Sequence, residues 1–512
     1  MFKKLFVSGT SACFEFVNSD PYYSPKNYTV LLNGEPIGSE RSSNVFSVYN
    51  LTPSTKYAIT TTADNCKMVF TTCDESGVVD VKSLGARGDG ETDDTYFLQM
   101  AIYSCPKNGR VVIPEGRYLT RPLFLKSDMT LEIKKGATLL GDTNEEHYPF
   151  VPAFGEHAEK EVLASWEGQP FDCHQSLISA YRASNIRIVG EGTINGNANN
   201  STWWATPKGR KVARPRLVFI NKCRDVVMHG VTCKNSASWN LHPFFSKNLK
   251  FLDLKVRNPS TAPNTDGLDP ESCDGVDIIG CNFSVGDDCC AIKSGKLYMG
   301  KTYKTPASNH VLRNNLFENG HGAIVLGSEM SGGVKNLTVC QCVFRHTDRG
   351  LRIKSRRGRG KDGIIDGVTF ENIVMDNVTT PLVINMYYYC DPDGHTEYVR
   401  SRDPETPVDD GTPYLGKFVF KDIVCKNCEC MAGYFDGLVE QPIREITLEN
   451  VSFSFREDAQ PSVPAMLEDV REYCREGLYA DNVVRLVLKN VTFDGVVGDK
   501  IIRKNCGEIV EE

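Results

Sequence analysis

Four short runs carry residues able to do acid–base chemistry on an anionic ligand: Asn264-Thr265-Asp266-Gly267-Leu268-Asp269, Gly286-Asp287-Asp288-Cys289, Gly320-His321-Gly322 and Arg352-Ile353-Lys354. Three close carboxylates can divide the work of giving and taking a proton, because like charges that crowd together keep at least one of them protonated. An imidazole beside them can tune that proton. An Arg and a Lys two positions apart on a strand share one side and suit a carboxylate ligand. Each run alone is more often a turn or a wet strand, since Asn, Asp and Gly are turn formers. Their recurrence in register, each step close to one structural repeat, argues for a single surface that gathers carboxylates, an imidazole and cations.

The repeat is visible from about Ile186 onward as Asn/Asp-hydrophobic-x-hydrophobic, followed by a second short apolar alternation. It occurs at Asn185-Ile186-Arg187-Ile188, Asp225-Val226-Val227-Met228, Asn248-Leu249-Lys250-Phe251, Gly275-Val276-Asp277-Ile278, Asn336-Leu337-Thr338-Val339 and several later places. Spacings of about 23 to 35 residues, rich in β-branched side chains, predict one coil of a right-handed parallel β-helix per unit. Such a coil buries its inner face only by stacking on its neighbours. The segment Gly85 to Ile102, acidic and then helically periodic, predicts a helix covering the open end of the stack. Residues 1–76 differ: alternating runs and an Asn33-Gly34 turn predict a small β-sandwich, and Asn50 to Tyr57 resembles the tyrosine corner of fibronectin type III modules. The expected organisation is all-β, with a fibronectin type III-like sandwich over 1–76 and a β-helix catalytic domain over 77–512.

Composition narrows the function classes. A 512-residue chain with 40% hydrophobic and 24% charged residues has ample core, and no run approaches the roughly 20 apolar residues of a membrane span. A net charge of −7 argues against a nucleic-acid partner, which needs a basic face. The 19 cysteines show no convincing paired zinc spacing and read as buried thiols, so the expected address is the cytoplasm, or a secreted or periplasmic one if a leader was removed.

In their order along the chain, the four runs resemble the four signatures of the polygalacturonases, pectin-hydrolysing β-helix glycoside hydrolases of family 28. The resemblance spans about residues 80 to 505. Gly286 stands where many members carry Gln, and Leu268 where others carry an aromatic residue; neither change removes a catalytic group. The resemblance implies inverting hydrolysis of α-1,4-galacturonosidic bonds in polygalacturonate or oligogalacturonides. By it, Asp287 is the general acid, Asp266 and Asp288 hold and deprotonate water, and His321 tunes the acid. Arg352 and Lys354 bind the substrate carboxylate, and Asn264 lines the same subsite. Neither metal nor cofactor is required by this set. The cationic run Arg352 to Lys361 is expected to extend the anion-binding surface, Arg357 included.

Two excursions interrupt the repeat, about 142–182 and 385–416. They carry Trp166, Tyr387, Tyr388, Tyr389, Arg400 and Arg402 and are too long for turns, so they are expected to wall the groove and favour exo cleavage. The alternatives are an endo-polygalacturonase, a rhamnogalacturonan-type hydrolase, a pectate lyase with calcium on Asp266, Asp269, Asp287 and Asp288, and a non-catalytic glycan-binding β-helix.

Overall fold

The computed structural model describes residues 1–155 and 158–512. Its main body is a right-handed parallel β-helix in which each sequence unit forms one coil. Equivalent apolar residues lie directly over one another: Val111, Leu131, Ile188, Met228, Phe251, Ile278, Leu312 and Val339 form one buried column through parallel pairing. A second column stacks Phe283 on Phe317, with ring centres 5.2 Å apart and planes 8° apart. Each such side chain contributes about 1.5–3 kcal/mol of burial, which no coil could realise alone.

The polar residue that opens many of the units has a backbone reason. Asp225, Asn248, Gly275, Asn309, Asn336 and Gly367 all hold φ between +53° and +72°, a conformation costly for residues other than Gly, Asn and Asp. The amides also join neighbouring coils, Asn336 donating to Asn309 at 3.2 Å and Asn490 to Asn450 at 3.0 Å.

The stack begins earlier than the first unit read from sequence. Strand Val78–Asp80 already pairs with Gly109–Ile113. The expected capping helix is Thr95–Ser104, which sends Leu98, Ala101 and Ile102 into the main core. Asp94 stands at its N-cap, but its carboxylate accepts from the N–H groups of Arg87 and Gly88 rather than from the helix. Among the described residues no helix is long and apolar enough to cross a membrane.

The N-terminal segment forms two antiparallel sheets, one of Phe2–Val7, Ala12–Phe16 and Val45–Val48, the other of Tyr23–Leu32, Glu35–Ser43, Lys56–Thr61 and Asp64–Thr71. Phe14, Phe16, Tyr28 and Phe46 lie between them. The Tyr57 hydroxyl accepts from the N–H of Thr52 at 3.0 Å, which is the corner bond expected from the sequence. The module is clamped to the β-helix. Cys13 and Val45 pack on Leu252 and Ile279, and the buried Glu15 carboxylate accepts from Arg313 at 2.6 and 2.9 Å and from Asn314 at 2.6 Å.

Candidate active site

The four runs fall on adjoining coils. Leu268 bridges Cys290, Cys290 pairs with Ile324, and Ile324 with Leu351. Asp266 and Asp288 each stand two residues before their bridged partner and so become neighbours. Gly320 and Gly322 make the close approach possible. A Cβ at Gly320 would lie 2.6 Å from Cys289 Sγ, and one at Gly322 would lie 2.5 Å from Val325 Cγ2 and 3.3 Å from Asp288 Oδ1. The two glycines thus leave room for Cys289, Val325 and Asp288 at the edge where His321 stands.

Asp266, Asp287 and Asp288 each place a carboxylate oxygen within 4.8 Å of the others. Asp266 and Asp288 are buried, whereas Asp287 is half-buried and faces the cleft. Asp288 accepts from Lys354 Nζ at 2.7 Å and from Arg352 Nη1 at 3.2 Å. Burial pushes the Asp288 carboxyl upward, but Lys354 and Arg352 together hold it well below the usual carboxylate range. Asp266 is raised, first by burial and then by Asp287; Asp287 is raised by burial and by Asp288. The cluster therefore holds one firmly ionised carboxylate and two that compete for a proton.

His321 does not bond the acid directly. Its Nδ1 meets Asp348 Oδ2 at 2.7 Å, and that hydrogen bond, with Asp287 nearby, raises the imidazole above its ordinary value. Asn264 accepts through Oδ1 from the buried Arg214 at 2.6 Å and lines the cavity beside Asp266. The structure thus brings Asp266, Asp287, Asp288, Asn264 and Lys354 to one cavity, with Arg352 and His321 on its carboxylates' periphery.

Arg357 is the correction. Its side chain is wholly buried, paired in bidentate fashion with Glu440 at 2.6 and 2.7 Å, and donates to the carbonyls of Tyr398, Val399 and Ser401. Neighbouring Arg356 and Arg359 both hold Asp391. The cations beyond Lys354 fold the 385–416 excursion instead of facing a sugar. An Arg-rich run looks the same in sequence whether its partners are a ligand's acids or the chain's own.

Sequence reasoning passed over Lys293, Glu329, Trp239, Lys296 and Glu167, which also line the cavity. A signal existed for Lys293. It directly follows the apolar strand Cys290–Ile292, at the position that Gly327 and then Lys354 occupy on the next coils. A three-carboxylate group can hold a cation, and calcium was the ligand of the lyase alternative. Here Lys293, Lys354 and Arg352 already supply positive charge to these acids, and Asp269 lies buried beside Lys293 instead of facing the cavity.

A parallel β-helix that gathers three carboxylates, an imidazole and cations on adjoining coils is a frame that suits a glycoside hydrolase. The chain belongs to the glycosyl hydrolases family 28, whose family model matches residues 106–405. It is 30% identical over 397 residues to a probable polygalacturonase of Vitis vinifera, a match covering 76% of each chain. It is also 30% identical over 397 residues to an exo-poly-alpha-D-galacturonosidase of Dickeya chrysanthemi, covering 70% of this chain and 65% of that one. Among solved structures, a family 28 exopolygalacturonase of Yersinia enterocolitica shares the fold with a TM-score of 0.74 at 22% identity, over 99% of this chain and 98% of the other. A hyperthermoactive exopolygalacturonase of Thermotoga maritima aligns with a TM-score of 0.67 at 27% identity, over 82% and 92%.

Proposed function

We propose that the chain hydrolyses galacturonosidic bonds of oligogalacturonides from a chain end, with inversion at the anomeric carbon. The observation that carries the exo reading is the meeting of the two excursions at Lys296. From the first, Gly168 accepts from Lys296 N at 2.8 Å, and Glu167 lies 3.9 Å from its ammonium; from the second, Asp391 accepts from Nζ at 2.8 Å. Trp166 fixes the first wall by stacking on Trp239, ring centres 5.6 Å apart, and Arg356 and Arg359 fix the second through Asp391. Glu167, Lys296 and Asp391 line the same cavity as the aspartates, so a polymer running on past that side meets a wall. The named activities of the Dickeya, Yersinia and Thermotoga proteins support the same reading.

Asp287, the acid open to the cleft, protonates the departing glycosidic oxygen, while Asp266 and Asp288 hold the attacking water. The carboxylate oxygens crowd more closely than the roughly 6.5–9.5 Å usual between inverting pairs. Asp288 is nonetheless a weak nucleophile, because Lys354 and Arg352 neutralise it, which favours attack by water over attack by Asp288. The substrate carboxylate shares the same two cations. A reducing compartment fits the single thiols buried in the coils, such as Cys233, Cys281 and Cys342, and supports the cytoplasm as the proposed address.

Trigalacturonate tests the chemistry. Hydrolysis gives saturated products whose new reducing end first appears as the inverted anomer by proton NMR, and it proceeds in the presence of a chelator. An unsaturated product would instead make the chain a lyase. On polygalacturonate, reducing ends are expected to accumulate with little fall in viscosity; a rapid fall at low conversion would refute the exo reading. Cell fractionation tests the address.

A further inference from the structure

Beneath the three aspartates lies a buried charged layer that the mechanism above leaves unused. Lys293 Nζ, in a side chain only 4% exposed, is 3.5 Å from Asp266 Oδ2, 3.9 Å from Asp269 Oδ1 and 3.4 Å from Glu329 Oε2. It sits 4.2 Å from the centre of the Trp239 ring. Among the described residues, no ion pair of comparable length joins it to Asp287.

Apart from Lys293 and Lys354, the surroundings of Asp266 are unfavourable to its charge. Asp269 is wholly buried, neither of its oxygens has a hydrogen-bond partner among the described residues, and burial with Asp266 beside it pushes its carboxyl well above the usual carboxylate range. One layer further, Glu271 Oε2 and His242 Nε2 lie 2.9 Å apart; burial lifts the acid to about 8 and holds the imidazole neutral, with Arg216 adding to the latter. On the cavity side Asp266 faces Asp287, Asp288 and Lys354. Glu329 stays ionised, because Lys293 and Lys296 outweigh its burial. Asp266 is the more deeply buried of the two acids that compete for the proton. Lys293 is the foremost charge opposing the burial and the Asp287 charge that raise Asp266; without it the proton would settle on Asp266, where it can neither reach a leaving group nor leave a base behind.

We propose that Lys293 is a positioning residue that directs the cluster's shared proton onto Asp287 and leaves Asp266 ionised to accept a proton from water. This rests on the hydrolytic reading above. In the step, Asp287 gives its proton to the glycosidic oxygen as the bond from the anomeric carbon to that oxygen breaks. The water oxygen bonds to the anomeric carbon and its proton passes to Asp266. Exchange through solvent then returns a proton to Asp287 and frees Asp266, so protons balance over the cycle. Lys293 acts through Asp266, not on the sugar.

The test is the pH profile of kcat/KM on trigalacturonate for Lys293→Met and Lys293→Arg. A cation this near a carboxylate lowers its pKa by roughly 1–3 units, so the acidic limb of the Met variant is expected to move up by that amount. KM above the limb should stay near the wild-type value, and the Arg variant should keep the wild-type limb. An unmoved limb in the Met variant, with activity lost evenly at every pH, would overturn the proposal and leave Lys293 a packing residue. If the Met variant does not fold, carboxyl carbon NMR of the wild-type enzyme reads the order directly: Asp287 titrating above Asp266 is expected, and the reverse order overturns the proposal. A wild-type enzyme inert on trigalacturonate would refute the hydrolytic reading instead, while the NMR order would still judge the placement of the proton.

Discussion

Lys354→Gln separates the partner that Lys354 holds, Asp288, from the one proposed for it, the substrate carboxylate. In the resting enzyme its ammonium lies 2.7 Å from Asp288 Oδ2, with the two side chains 10% and 2% exposed, while Arg352 holds the other oxygen at 3.2 Å. A substrate carboxylate at this place takes one charge-assisted hydrogen bond from Lys354, a contact of about 1.5–3 kcal/mol. At RT of about 0.59 kcal/mol that is roughly 12- to 150-fold in kcat/KM. Asp288 keeps Arg352 but loses its nearer cation, so its carboxyl should rise toward the ordinary range; Lys354 also holds Asp266 down, so its loss should move the acidic limb up. The assay is a cycle: kcat/KM for an oligogalacturonide and for its methyl ester at the reacting residue, in wild type and variant. Wild type should prefer the free acid by about the factor above, and the variant should lose most of that preference. Full preference retained in a folded variant would show that Lys354 does not meet the sugar carboxylate. The ester comparison also distinguishes this residue from Lys293, whose replacement should leave the preference intact.

Asp287→Asn should lower kcat by about 10²- to 10⁴-fold with an unchanged melting temperature; near-normal turnover would remove Asp287 as the acid. Glu15→Gln breaks a buried pair at the module boundary and should cost about 3–5 kcal/mol in urea unfolding near neutral pH. Although burial opposes it, Arg313 and Lys3 depress the Glu15 carboxyl, so this stability is present above the ordinary glutamate value and is lost as pH falls through the lower folded value. The gap between wild type and variant should therefore narrow in acid; a gap independent of pH would mean that the charge is not what holds the module. A chain beginning at Val78 should keep its kcat on trigalacturonate while melting at lower temperature, because among the described residues none of 1–76 lines the cavity; a well-folded but inactive product would assign the module a part in shaping the cleft.

The β-helix was legible because stacking forces chemically equivalent residues into a periodic pattern, and the left-handed position at the head of the coils that open at Asp225, Asn248, Gly275, Asn336 and Gly367 favours Asn, Asp or Gly. The aspartates were legible for the same reason: Asp266 and Asp288 inherit their adjacency from Leu268 and Cys290, which belong to the core columns. Partner choice was not. Arg357 and Lys354 lie three residues apart in one cationic run, yet one turns to Glu440 and the other to Asp288, because Glu440 is supplied by a distant coil. Lys293 escaped notice because a lone Lys at a strand end ordinarily reaches water. Its burial depends on Trp239 and Glu329 closing over it from two other coils.

The parallel pairing from coil to coil bears on how such an enzyme can change length. Coil-to-coil spacing is set by sheet hydrogen bonding at about 4.8 Å and not by the identity of the side chains inside. Duplicating a whole coil before Asn240 or after Asn385 would therefore translate the rest of the molecule without disturbing the relation of Asp266, Asp288, His321 and Arg352. The same duplication between Cys290 and Leu351 would carry the cations one coil away from Asp288 and abolish the pairings at 2.7 and 3.2 Å. A duplication between Leu268 and Cys290 would likewise part Asp266 from Asp288, so tolerance to tandem growth varies along the chain in blocks, with one forbidden interval that runs from the Leu268 bridge to the strand of Leu351.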